Sequence, residues 1–117
     1  MFWILSQVAL GGAIGACLRY LCHQVVSAPL GTLLINVTGS FAIGLLVVLL
    51  ATRSHLSPLL ITGVLGGFTT FSAFSLDALR LWQAGELSTA FAYVAGSVIL
   101  SLAAVALGAA LAKGALG

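Results

Sequence analysis

The chain has 117 residues, of which 62% are hydrophobic and only 5% charged, with a formal net charge of +2. A soluble domain carries about 25% charged residues, so an ordinary water-facing fold is excluded. The charges are Arg19, Arg53, Asp77, Arg80, Glu86 and Lys113; they form no basic patch, which excludes nucleic acid as a partner.

Between those charges lie apolar runs long enough to cross a bilayer, each crossing needing about 20 residues. The pattern predicts an all-α integral membrane protein, one domain over residues 1–117 with four transmembrane helices near 3–26, 30–51, 59–82 and 88–112. A multi-pass protein of the plasma membrane is expected, the inner membrane if the source is Gram-negative. The first run starts without a basic flank and exceeds signal-peptide length, so it is expected to stay as a span.

In the first span, Trp3 suits the membrane interface. Gly11, Gly12 and Gly15 put small residues on one face, which allows close helix approach. Arg19 is the only charge in this run. Its stem can snorkel to the headgroups, or it can face an aqueous entrance and concentrate anions, and the two readings are compatible. Cys17 and Cys22 lie five apart and are expected as buried, inert thiols.

Pro29 opens the second span. Asn36, Ser40 and Gly44 share a face there. The Asn36 amide offers both a donor and an acceptor, either for an interhelical hydrogen bond or for a ligand.

Pro58 opens the third span, which carries Gly66-Gly67-Phe68-Thr69-Thr70-Phe71-Ser72-Ala73-Phe74-Ser75. Paired glycines and paired threonines are poor material for a helix middle. One reading is a glycine-rich packing face. The other is a helix broken near its middle, whose freed carbonyls can hold a cation. Phe71 and Phe74, and Ser72 and Ser75, follow at three-residue spacing and can line a narrow path. Asp77 and Arg80, three apart at the end of the span, can pair on the helix surface.

The fourth span carries Tyr93, Ser97 and Ser101, four apart. Such hydroxyls either bond back to their own helix or form a polar stripe.

No nucleophilic or metal-ligand set is visible, so no enzyme is expected. No carboxylate is placed deep in a span, which argues against proton coupling. Uncharged donors (Asn36, Ser40, Ser72, Ser75, Tyr93, Ser97, Ser101) suit a small anion that must shed water and leave again. The positive ring edges of Phe71 and Phe74 suit the same ligand.

Three motifs then carry a resemblance. Gly11-Gly12-Ala13-Ile14-Gly15-Ala16-Cys17-Leu18-Arg19-Tyr20, Gly31-Thr32-Leu33-Leu34-Ile35-Asn36-Val37-Thr38-Gly39-Ser40-Phe41 and the stretch from Gly66 to Ser75 resemble, in order, those of the Fluc/CrcB fluoride channels. The resemblance implies passive fluoride export through an antiparallel, dual-topology homodimer with two pores. It further implies a structural sodium ion at the dimer centre, held by backbone carbonyls at Gly66 and Thr69. Asn36, Phe71 and Phe74 match the family's pore residues, Tyr93, Ser97 and Ser101 its hydroxyl track, and Arg19 its vestibule arginine. Two positions depart from the pattern: Asp77 stands where Glu is common, and Phe68 where an aliphatic residue is common. Two other classes compete. Small multidrug exporters have four spans but need an acid in the first, which is lacking here. A non-transporting assembly subunit would leave the hydroxyl stripe and the Phe pair without a role.

Overall fold

A computed structural model describes every residue, Met1 to Gly117. The chain is helical with no strand: α1 (Phe2–Val25), α2 (Leu30–Leu49), a 3₁₀ turn (Ser54–Leu56), a π-helical segment (Pro58–Leu65), α3 (Gly66–Phe68), α4 (Phe71–Gln83) and α5 (Leu87–Ala115). The π-helical segment, α3 and α4 together make the third rod. Four helical stretches are long and apolar enough to cross a membrane: Phe2–Val25, Leu30–Leu49, Ser54–Gln83 and Leu87–Ala115.

The rods pack as two pairs, each joined where glycine removes a side chain. A Cβ on Gly11 would strike the Leu59 carbonyl and Gly63, and one on Gly15 would strike the Val64 carbonyl. That seats α1 on the first half of the third rod, backbone against backbone. In the other pair, Gly44 of α2 lies against Val105 and Ala109, while Gly108 of α5 lies against Phe41 and Leu45. Small residues let backbones approach closely, and packing then does the work that hydrophobicity cannot do in lipid.

Only 17 of 117 residues are buried, and Trp3, Leu10, Phe71, Phe91 and Leu102 are among many exposed apolar side chains. A water-soluble monomer does not carry apolar surface on every flank. The outer faces are those of a multi-pass membrane protein. Cys17 and Cys22 are exposed, contrary to expectation. The inner stripe of α1 is filled by its glycines. Cys17 points away from that stripe, and Cys22 lies further along, in an apolar groove between α1 and α2.

Between α3 and α4, Thr69 (φ −79°, ψ 157°) and Thr70 (φ −153°, ψ 119°) are extended. β-Branched residues accept that conformation readily. Thr70 caps α4: its Oγ1 accepts from the Ala73 N–H at 3.1 Å.

Candidate functional site

The two extended threonines lie where the two helix pairs meet. Gly39 of α2 leaves room for the Thr69 methyl, so α2 approaches this point closely. There Asn36 turns its amide onto the main chain of Thr70. Its Nδ2 donates to the Thr70 carbonyl at 2.9 Å, and its Oδ1 accepts from the Thr70 N–H at 2.8 Å. A primary amide matches one donor and one acceptor of a peptide unit at once, and one Nδ2 hydrogen remains. From the other pair, Arg19 donates its Nε to the Gly67 carbonyl at 3.1 Å.

Beside these contacts runs an open groove of about 420 Å³ between α2, the third rod and α5. Asn36, Gly66, Thr69, Phe71, Phe74, Ser97 and Ser101 line it, with Gly39, Ser40 and Thr70. The ring centroids of Phe71 and Phe74 are 5.4 Å apart, and Phe74 lies 5.4 Å from Tyr93. Phe71 is 77% exposed, whereas Phe74 is half-buried. The Ser97 hydroxyl is buried, borders the groove and has no hydrogen-bond partner.

The remaining candidates are spent otherwise. Ser75 donates to the Phe71 carbonyl at 3.0 Å, and the Ser72 hydroxyl lies 3.2 Å from that of Thr70. Both serines are exposed and neither borders the groove. Tyr93 is buried behind it and donates to Asp77 Oδ2 at 3.0 Å.

That bond corrects two expectations. Asp77 does not pair with Arg80; its carboxylate turns inward to the Tyr93 hydroxyl, while Arg80 is exposed. Nor is Asp77 at an exposed helix end: it is 6% exposed, in the middle of α4. An acid therefore does lie inside a span, the kind of group that proton coupling needs. The physical reason is the packing of α4 on α5, which a spacing within one helix cannot reveal. Sequence reasoning also missed Thr70. A Thr just before an apolar helical run is an N-cap signal, and that signal was available.

Comparison with known proteins places the chain. It is 54% identical over 115 residues to the "Fluoride-specific ion channel FluC" of Paracoccus denitrificans, covering 92% of this chain and 93% of that one. It is 51% identical over 117 residues to the protein of the same name from Cereibacter sphaeroides, covering 94% of each. The relative of that name from Rhizobium etli is 53% identical over 108 residues, covering 84% of this chain and 86% of its own. The family model described as "CrcB-like protein, Camphor Resistance (CrcB)" matches residues 6–109. With a match across nearly its whole length, the chain belongs to the CrcB family.

Proposed function

We propose that this protein is a fluoride-selective channel that lets fluoride leave the cell passively and so gives resistance to it. Relatives over 50% identical carry the name of a fluoride channel. The single structural observation that carries the reading is the groove, where two aromatic rings, an amide and the unpartnered Ser97 hydroxyl converge without a formal charge. Uncharged donors replace part of the water around a small anion without trapping it. Phe71 and Phe74 bring to the groove rings whose edges are positive, the Asn36 amide keeps one hydrogen, and Ser97 and Ser101 continue the line of donors along α5.

The break also fits a resident cation. A peptide unit that leaves a helix frees hard carbonyl oxygens, the ligand type that suits sodium rather than a soft metal. Gly66 and Thr69 both border the groove, and their carbonyls would hold the ion. When bound, the ion supplies a fixed positive charge beside the anion path. One chain brings only these two to the groove, too few for a full shell, which supports a second copy of the chain sharing the ion.

The buried Asp77–Tyr93 pair is the one feature that favours a second reading, fluoride transport coupled to protons. Purified protein in fluoride-loaded liposomes separates the two. A channel releases fluoride down its own gradient, with the same dependence on voltage whether a proton gradient is imposed or collapsed by a protonophore. Fluoride driven uphill by protons would overturn passive conduction.

A further inference from the structure

With Thr69 and Thr70 extended, the carbonyls of Gly66, Gly67, Phe68 and Thr69 lose their α-helical donors, the N–H groups four residues on. Two of those N–H groups have gone elsewhere, Thr70 to Asn36 and Ala73 to the Thr70 hydroxyl. The freed carbonyls do not share one environment. Gly66 and Thr69 border the groove. Gly67 faces the other way, so close to α1 that an added Cβ would press on Gly12. There it accepts from Arg19.

Arg19 reaches that carbonyl because of its place on α1. Gly11, Gly15 and Arg19 lie four apart on one face. The first two seat α1 on the third rod, and the next step along the stripe arrives where that rod stops. The last turn before the break carries the negative end of its helical dipoles, where a cation is favoured.

We infer that Arg19 is a positioning residue for the cation site: by holding the Gly67 carbonyl against α1, it fixes the rotation of the last turn and leaves the Gly66 and Thr69 carbonyls facing the groove. This rests on the sodium reading above. It differs from an entrance charge in a way that can be measured. The guanidinium charge repels a second cation nearby, whereas its hydrogen bond orients that cation's ligands. Charge and bond therefore act on sodium in opposite directions, and a neutral donor separates them.

The test follows thermal unfolding of the purified full-length protein in detergent as sodium replaces choline at constant ionic strength. A ligand that binds only the folded state raises Tm with concentration, and the midpoint of that rise is the readout. Arg19→Gln keeps a donor that reaches Gly67, so its sodium midpoint stays within about twofold of the parent or falls as the repulsion is lost. Arg19→Met keeps the apolar stem and loses the bond, so its midpoint rises roughly tenfold or more. If Arg19→Met does not fold, Arg19→Asn makes the same comparison with an amide too short to reach. Parental midpoints in Met or Asn would overturn the inference, as would equal rises in Gln and the variant that cannot reach. A parent whose Tm ignores sodium would overturn the sodium reading, and this inference with it.

Discussion

At the residue scale, the amide of Asn36 matters because Thr70 presents both a donor and an acceptor to it. Asn36→Asp keeps the acceptor but sets a carboxylate oxygen against the Thr70 carbonyl and adds a charge that repels an anion. It should cost about 1–3 kcal/mol of stability, the range for a buried polar group left without its partner, and cut fluoride flux at least tenfold. Melting in detergent and efflux from liposomes check the two effects separately. The two phenylalanines should part company in the same assays. Phe71 is 77% exposed on the chain, so Phe71→Ile should change stability by under about 0.5 kcal/mol while still reducing flux. Phe74 packs on Tyr93, so Phe74→Ile should also lower stability, by roughly 1 kcal/mol. Flux unchanged in both variants would make the rings packing groups only. The sequence marked the residue types at this site but not their partners. Asn36 meets Thr70 across 34 positions, and Tyr93 meets Asp77 across 16, so no local spacing encodes either bond.

At the element scale, α1 and the third rod are held by missing side chains. Gly15→Ala would drive a methyl into the Val64 carbonyl, and a main-chain atom cannot rotate away. Overpacking of this kind costs about 1–3 kcal/mol. Gly96→Ala in α5 meets open space and should be neutral or slightly stabilising, because alanine is the better helix former. Thermal melts of the two variants, with the parent beside them, check the contrast. Equal effects would mean that the α1 contact is loose. The four apolar helices were legible because a span needs a long apolar run, and the few charges inside the helices, Arg19, Asp77, Arg80 and Lys113, are too sparse to break those runs. The π-helical turn at Pro58–Leu65 was not legible. The segment packs on α1, with Gly63 against Gly11, and nothing in the order Pro-Leu-Leu-Ile-Thr-Gly-Val-Leu requires the wider turn.

At the scale of the whole molecule, apolar surface remains exposed around the rods, and the groove is open along one flank. Arg53 and Lys113 fall on one side of the membrane, with Arg80 and the Arg19 end of α1 on the other, which leaves the positive-inside rule without a bias. A chain without bias should insert in both orientations, and an antiparallel pair closes on a two-fold axis. Adding two lysines to one terminus should therefore lower activity, and an oppositely biased copy expressed alongside should restore it. Full flux from a population in one orientation would contradict the antiparallel pair. On this reading the groove conducts fluoride and rejects larger halides, and electrode-recorded efflux from matched liposomes loaded with fluoride or with chloride puts that to the test. Fluoride should leave at least about a hundredfold faster, as expected of a narrow path whose fixed contacts must replace tightly held water. Equal rates for the two ions would contradict it.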